Sequence, residues 1–97
     1  MAEQHIIQKI RVKNELGLHT RPATLIVKLL QEVKSEVFFT YKKETINAKS
    51  ILSILILAAP KNACITIKVK GEDAQATMDR LVESFENCFG EGGMGVS

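Results

Sequence analysis

The sequence predicts an α+β fold in which three helices cover one side of an open-faced sheet of four strands. The apolar patterns along the 97 residues follow the order strand, helix, strand, strand, helix, strand, helix. The strands alternate apolar with polar or charged residues, which is typical of a sheet with one buried and one solvated face. Because crossover connections are right-handed, a split βαβ arrangement is the simplest way to stack these helices on one face. A chain of this length forms one domain, predicted to span residues 1–89.

The first strand is predicted in HIIQKIRVK, residues 5–13. Ile6, Ile10 and Val12 fall on one register of this segment and the cations fall on the other, as in a half-buried strand. His5, at the start of the segment, is expected to be an exposed residue near the terminus.

The first helix is predicted to begin near His19 or Thr20, within LGLHTRPAT. Pro22 fits the opening turn because the first four N–H groups of a helix have no internal partner, so the missing N–H of proline is not needed there. Gly17 can provide the sharp turn into the helix. The apolar stripe that follows, at helical spacing over about three turns, comprises Ile26, Leu29, Leu30 and Val33.

Two short strands and a second helix follow. SEVFFTY (residues 35–41) and ETIN (residues 44–47) are predicted to pair around a lysine-containing turn. Ser50 is a good N-cap for the helix in AKSILSILILAAP, and Pro60 ends that helix. More of its circumference is apolar than a short surface helix requires, so some residues should enter the core and others should form an exposed patch.

The last strand and the last helix have the clearest patterns. CITIKVK, residues 64–70, alternates strictly, with its two isoleucines and its valine on one face. The final helix lies within residues 71–89, and Glu72 or Asp73 can favour its N-terminus by capping and through the helix dipole. The tail, residues 90–97, has nothing to bury and is expected to be mobile. The apolar stripe of this helix comprises Ala74, Met78, Leu81, Val82, Phe85 and Phe89.

Composition argues against several classes of function. The net charge is +2, and Lys and Arg are scattered among Glu and Asp, so nucleic-acid binding has little support and only a mild preference for acidic partners remains. No apolar run approaches the roughly 20 residues that cross a bilayer, and the N-terminus lacks signal-peptide features. We therefore expect a cytoplasmic protein without membrane insertion. Cys64 and Cys88 show no metal-ligand spacing and are expected to be reduced, buried thiols. We expect no metal and no cofactor.

Two motifs carry a resemblance to a known family. GLHTRPA (residues 17–23) is followed at the expected distance by NAKSILSIL (residues 47–55), and then by CITIKVKGEDAQ and an amphipathic helix. Over residues 6–89 the chain resembles HPr, the histidine-containing phosphocarrier of the bacterial sugar phosphotransferase system. The resemblance implies a four-stranded antiparallel open-faced β-sandwich with three helices on one side. It also implies that His19 accepts a phosphoryl group from enzyme I and passes it to a sugar-specific EIIA acceptor, with Arg21 beside the phosphate.

The residues of the first motif support phosphoryl transfer on physical grounds. A neutral imidazole is a usable nucleophile near physiological pH and needs no separate base. A phosphoryl dianion on its ring would lie beside unpaired N–H groups at a helix start, where the dipole favours anions. Thr20 and Arg21 are the expected backbone donors, because Pro22 has no N–H. The guanidinium of Arg21 can add a charge-assisted contact. The family phosphorylates Nδ1, and the sequence alone does not identify the nitrogen.

Ser50 has two interpretations, one structural and one regulatory. It can be only the N-cap of the second helix. It also corresponds to the serine that some members of the family have phosphorylated by an ATP-dependent kinase, HPr kinase/phosphorylase, and a phosphate there would place charge beside the partner-binding surface. The docking patch that the resemblance implies matches Ile51, Leu52 and Leu55, for which core packing is the alternative explanation. Lys28 and Lys49 are candidate rim charges for acidic partners, and a solvated helix face explains them almost as well. Thr20 is the remaining predicted docking residue.

Other functions remain open at this point. A paralogue that serves nitrogen-related regulation would use the same histidine. A regulatory binding module acting through Ser50 would be expected to lack His19. An independent enzyme has less support, because no second acid or base, metal cluster or phosphate-binding glycine loop appears, and a phosphoryl-transfer intermediate is expected instead. A relay protein must expose its site repeatedly, so a monomer is expected.

Overall fold

Four strands and three helices alternate in the predicted order in the computed structural model, which describes residues 4–91. Residues 92–97 of the predicted tail lie outside the described residues. The sheet has the order first, fourth, second, third strand, and every neighbouring pair is antiparallel. The predicted α+β open-faced sandwich is therefore confirmed. The elements are β1 (Gln4–Arg11), α1 (Thr20–Leu30), β2 (Glu36–Tyr41), β3 (Glu44–Asn47), α2 (Ile51–Leu57), β4 (Cys64–Gly71), α3 (Ala74–Glu86) and a 3-10 turn (Cys88–Gly90).

The core lies between the helices and one face of the sheet. Strand β4 runs between β1 and β2, so that Val69 pairs with Ile6 on one side and with Val37 on the other. Ile67 pairs with Phe39 in the same way, and alternate residues of β4 face solvent. Helix α3 packs on β1 and β4, α2 packs on β3, and α1 packs on α2. No helix within residues 4–91 combines the length and apolar character needed to cross a bilayer.

Aromatic rings join the helical layer to the sheet. Phe85 of α3 contacts Phe39 edge to face with ring centroids 5.9 Å apart, and it contacts Phe89 on its other side at 4.8 Å. All three rings are buried. The predicted helical stripe extends to Phe89, but α3 ends at Glu86 and Phe89 adopts a left-handed conformation, with φ +51°. The 3-10 turn packs against α1.

Two further local predictions are corrected by the structure. The predicted stripe of the first helix includes Val33, but α1 ends at Leu30 and Val33 is buried in the turn that follows. Cys64 and Cys88 are free thiols, yet Cys64 is exposed and Cys88 is half-buried. Cys64 belongs to the register of β4 that faces solvent, and Cys88 lies in the 3-10 turn.

Asp73 occupies the N-cap position of α3, but its side chain does not cap the helix. The carboxylate accepts hydrogen bonds from the Ser35 hydroxyl and from the N–H groups of Ser35 and Lys34, the latter two at 3.0 Å. The Ser35 hydroxyl, followed by the Lys34 N–H, holds the pKa of Asp73 below its usual value. Ser35 is fully buried against Gly71, where a Cβ would lie 2.6 Å from the Ser35 Cα. Asp73 therefore stabilises the junction of β2, β4 and α3.

Candidate functional site

The GLHTRPA segment places His19 at the N-terminus of α1. His19 is the N-cap residue in an extended conformation, and its carbonyl oxygen accepts a hydrogen bond from the N–H of Ala23 at 3.0 Å. Its side chain makes no capping bond. Pro22 lies in the first turn, as predicted, and exposed Thr20 and Arg21 hold positions whose N–H groups have no acceptor within the helix. His19 therefore stands at the positive end of a helix dipole and immediately precedes two N–H groups that the helix leaves without an acceptor.

Gly17 turns the chain into this helix. Its φ of +71° lies in the left-handed region, which favours glycine. A Cβ at this position would lie 2.8 Å from the Cα of Pro60 and closer still to the carbonyl oxygen of Ala59. That same oxygen accepts a hydrogen bond from the N–H of Leu18 at 2.9 Å. The connection between α2 and β4 thus determines where His19 begins the helix.

The imidazole lies against a carboxylate that sequence analysis did not identify. Nε2 of His19 is 2.9 Å from Oε2 of Glu91, and Nη1 of Arg21 is 3.9 Å from the same oxygen. Nε2 is buried, and the direction of the contact does not satisfy a hydrogen bond, so the contact is an ion pair when the ring is protonated. The side chains of His19, Arg21 and Glu91 are 30%, 71% and 20% exposed. One ring nitrogen therefore faces Glu91, while part of the ring remains accessible to solvent.

Asn14 holds the Glu91 carboxylate in this position. The side chain of Asn14 is buried, and its Nδ2 donates hydrogen bonds to the carbonyl oxygen of Cys88 at 2.9 Å and to Oε1 of Glu91 at 2.5 Å. These bonds connect the loop before α1 to the segment after α3. Glu91 belongs to the glycine-rich stretch GEGGMGVS, which has no periodicity that could have indicated the contact.

Helix α2 borders the histidine on another side. Of the predicted docking residues, Ile51 and Leu52 are exposed, with Leu52 at 65%, and Leu55 is half-buried. Ile56, one turn after Leu52, is exposed as well and was not singled out from the sequence. A depression of about 280 Å³ adjoins His19, and the other residues that line it are Leu16, Leu18, Leu55, Ala58, Ala59 and Pro60. The α2 surface and this depression together present apolar groups beside the imidazole.

The polar residues near this surface have separate structural partners. Ser50 is the N-cap of α2, and its hydroxyl oxygen accepts a hydrogen bond from the N–H of Ser53 at 3.2 Å, which confirms the capping prediction. Nζ of Lys49 donates to the carbonyl oxygen of Val33 at 2.8 Å, so Lys49 also stabilises the turn after α1. Lys28 is exposed in the last turn of α1. Within residues 4–91, no group of three or more His, Cys, Asp or Glu side chains is arranged to hold a metal ion.

Comparisons with known proteins agree with this arrangement. The family described as the PTS HPr component phosphorylation site matches residues 6–87. Phosphocarrier protein HPr of Chlamydia muridarum is 45% identical over 80 residues, which are 82% of this chain and 77% of that protein. The crystal structure of HPr-C-His from Thermoanaerobacter tengcongensis matches with a TM-score of 0.86 and 31% identity, covering 90% of this chain and 98% of that one. The crystal structure of an HPr dimer from the same organism has a TM-score of 0.72 and 33% identity, and the match covers 84% of this chain and 94% of that one.

Proposed function

We propose that His19 carries a phosphoryl group between two protein partners, on the premise that this chain belongs to the HPr family, the phosphocarriers of the phosphotransferase system. The observation that carries the proposal is the position of the imidazole at the start of α1, with Arg21 in the same turn. A neutral imidazole supplies the nucleophile. The helix N-terminus and the guanidinium supply positive charge for the incoming oxygens.

The proposed acceptor atom is Nδ1. Glu91 contacts the ring from the Nε2 side, and Nε2 is buried, so an incoming donor meets less obstruction at Nδ1. The Nδ1 lone pair attacks phosphorus of the phosphorylated donor, the bond between phosphorus and the donor breaks, and its electron pair returns to the donor. In the second step the acceptor attacks phosphorus, and the electron pair of the P–N bond returns to Nδ1. The protein is unchanged after the two steps, as a carrier must be.

The stabilisation available at this site is modest. The dipole of α1 contributes about 0.3–1 kcal/mol to an anion at its N-terminus, and a hydrogen bond to a charged group contributes about 1.5–3 kcal/mol. Arg21 is largely exposed, so solvent weakens its contribution. A few kcal/mol in total keeps a phosphoryl group on the ring without trapping it, since each 1.4 kcal/mol corresponds to about a factor of ten in an equilibrium constant. Reversible transfer is therefore compatible with the geometry.

The proposed partners are enzyme I as the donor and an EIIA-type protein as the acceptor, in the cytoplasm. The exposed apolar residues Ile51 and Leu52 of α2, next to Leu55, form the proposed contact surface. We propose a monomer, because both partners must reach the same imidazole in turn. Light scattering on the purified protein tests this proposal, and a stable dimer in solution would contradict it.

The experiment that tests the carrier role is phosphorylation by enzyme I and phosphoenolpyruvate, followed by intact-mass analysis at alkaline pH. We expect one acid-labile phosphoryl group on the wild type. The variant His19→Ala should acquire none, and His5→Ala is the matched control because it removes the other histidine of the chain. Phosphorylation of His19→Ala, or failure of the wild type and His5→Ala alike, would overturn the proposal. Identifying which acceptor protein removes the group separates sugar transport from nitrogen-related regulation.

Ser50 allows a regulatory proposal at the same surface. It begins α2 immediately before Ile51, so a phosphate on its hydroxyl would place charge beside the proposed contact surface. The variant Ser50→Asp is a suitable mimic because aspartate is as good an N-cap as serine, so the cap is retained. We expect slower transfer from enzyme I to His19 in Ser50→Asp than in the wild type. Equal rates would count against this regulation.

A further inference from the structure

The face of the sheet that is turned away from the helices gathers cations from two strands. Lys9 and Arg11 of β1, and Lys68 and Lys70 of β4, occupy the solvent-facing register of their strands. The two pairs are distant in the sequence, and the antiparallel pairing of β1 with β4 brings them onto one surface. Glu36 of β2 is the one carboxylate that the four strands place on the same register. We call the surface formed by these four cations the basic face.

The basic face differs in charge from the rest of the molecule. With Glu36 included it carries a net charge of +3, whereas the whole chain carries +2, so the remaining residues together carry −1. Glu36 pairs in register with Lys70 and is not opposite the other cations. Within residues 4–91, Lys9, Lys68 and Lys70 have no ion pair, and Arg11 donates to an uncharged acceptor, the carbonyl oxygen of Asn62. The positive charge is therefore available to an anionic partner.

Lys9 and Lys68 lie near each other on the basic face. Lys9 pairs with Thr66 and Lys68 pairs with Ile7, so the two lysines are diagonal neighbours on adjacent strands, a relation that spans about 7–8 Å in a sheet. Because like charges repel each other, this arrangement does not stabilise the free protein. A partner that brings negative charge between the two ammonium groups would replace their repulsion by attraction.

Two apolar side chains lie among these cations. Ile7 and Phe38 pair with Lys68 on its two sides, and Ile7 is 62% exposed while Phe38 is half-buried. The lysine stems add apolar surface while their ammonium groups stay in water. A surface that combines cations with exposed apolar groups suits the boundary between lipid headgroups and acyl chains, where both kinds of group gain free energy.

We propose that the basic face binds the anionic lipid surface of a membrane, peripherally and reversibly. Lipid headgroups move laterally, so they can match flexible ammonium groups spread over two strands, and Ile7 can enter the apolar boundary beneath them. Single-stranded nucleic acid fits this surface less well, because its bases stack on aromatic rings and Phe38 is the one aromatic ring that the four strands place on this register.

Binding through the basic face leaves the phosphoryl site accessible. Helices α1 and α2 lie on the opposite side of the sheet, and His19 begins α1. A protein bound to lipid in this way presents its imidazole and its α2 surface away from the membrane. Lipid binding does not require phosphoryl transfer, so this inference stands apart from the proposed function.

The test measures co-sedimentation of the purified protein with lipid vesicles at low ionic strength. One set of vesicles contains equal parts of phosphatidylglycerol and phosphatidylcholine, and the other contains phosphatidylcholine alone. The double variant Lys9→Gln/Lys68→Gln removes two cations of the basic face and keeps most of each side chain. The matched control, Lys28→Gln/Lys61→Gln, removes two exposed lysines outside the sheet, so that both variants have the same net charge. Thermal unfolding checks that each variant is folded.

We expect the wild type to bind the anionic vesicles, to bind phosphatidylcholine far more weakly, and to be released by added salt. A lysine at an anionic membrane surface contributes about 1 kcal/mol, so Lys9→Gln/Lys68→Gln should bind the anionic vesicles about 25-fold more weakly, at about 1.4 kcal/mol for each factor of ten. Lys28→Gln/Lys61→Gln should bind almost as tightly as the wild type, because its substituted residues do not face the lipid.

A fluorescence measurement identifies the face that meets the lipid. The chain has no tryptophan, so one introduced indole is a specific reporter. Ile7→Trp places it on the basic face, and Ile56→Trp places it on α2, where the native side chain has a similar exposure of 68%. Anionic vesicles should shift the emission of Ile7→Trp to shorter wavelength and leave that of Ile56→Trp unchanged.

Several results would overturn the proposal. Absence of wild-type binding to the anionic vesicles is one, and equal loss of binding in the two double variants is another, because binding would then follow net charge instead of the basic face. A shift in the emission of Ile56→Trp without a shift in that of Ile7→Trp would assign lipid binding to the helical layer. Binding of a single-stranded oligonucleotide through Lys9 and Lys68, without binding to the vesicles, would assign the basic face to nucleic acid.

Discussion

Replacing Gly17 by Ala should destabilise the protein by about 2–5 kcal/mol and disturb the position of His19. The φ of +71° at this residue costs an alanine about 1–2 kcal/mol. The added Cβ would also lie 2.8 Å from the Cα of Pro60 and nearer to the carbonyl oxygen of Ala59, and overpacking of this kind costs about 1–3 kcal/mol. The sum of the two costs is a large share of the free energy of unfolding of a folded domain, which is typically about 5–15 kcal/mol.

Gly90→Ala separates the two contributions. Gly90 has a similar φ of +81°, but a Cβ there would meet no atom within 4 Å, so its substitution should cost only the conformational part, about 1–2 kcal/mol. Urea unfolding of both variants measures the two losses. Thermal unfolding should show a decrease in Tm of at least about 8 °C for Gly17→Ala, at about 4–8 °C per kcal/mol for a domain of this size. If Gly17→Ala loses no more stability than Gly90→Ala, the close contact between the added Cβ and the α2–β4 connection does not contribute to the destabilisation.

Three other substitutions test the core, the α3 junction and the contact surface. Asp73→Asn should cost about 1–3 kcal/mol at neutral pH by weakening the bonds to buried Ser35. Folding lowers the pKa of Asp73, so the stabilisation by its ionised carboxylate is present above the unfolded pKa of about 3.9 and is lost as the pH falls through the folded pKa. In urea unfolding, the free energies of unfolding of the wild type and Asp73→Asn should therefore converge at acid pH. Phe85→Ala should cost about 3–5 kcal/mol in urea unfolding, since the ring is fully buried; a loss under 1 kcal/mol would mean that the aromatic cluster is not a main support of the fold. Leu52→Ala should keep the free energy of unfolding within about 0.5 kcal/mol of the wild-type value but slow phosphoryl transfer from enzyme I. Ile7→Ala is the control, because it removes a similarly exposed side chain (62%) on the open face of the sheet. It should accept the phosphoryl group at the wild-type rate. A Leu52→Ala variant as fast as Ile7→Ala would exclude Leu52 from the contact surface.

Local chemistry determined the order of the elements and the position of His19 at the start of α1. Strands and helices follow periods of 2 and 3.6, and the missing N–H of Pro22 is tolerated in the first helical turn, so neither requires knowledge of distant residues. The ends of elements were less predictable. Val33 and Phe89 continue the apolar spacing of their helices, yet both lie in turns, because the core accepts an apolar side chain from a turn as readily as from a helix. Cys64 was assigned to the interior from its residue type, although the register of its own strand places it in solvent.

Only the tertiary structure decided which groups surround the imidazole. Asp73 has the residue type and position of a helix cap, but its carboxylate instead accepts hydrogen bonds from Ser35 and Lys34, which precede β2. Glu91 reaches His19 because the 3-10 turn after α3 redirects the chain toward α1 and because Asn14 binds its carboxylate. No spacing in the sequence encodes such a contact, since it depends on how separate elements pack and not on the periodicity of any one of them. The sequence alone thus determined that His19, the proposed nucleophile, stands where α1 begins. Packing between distant segments determined the electrostatic environment of its imidazole.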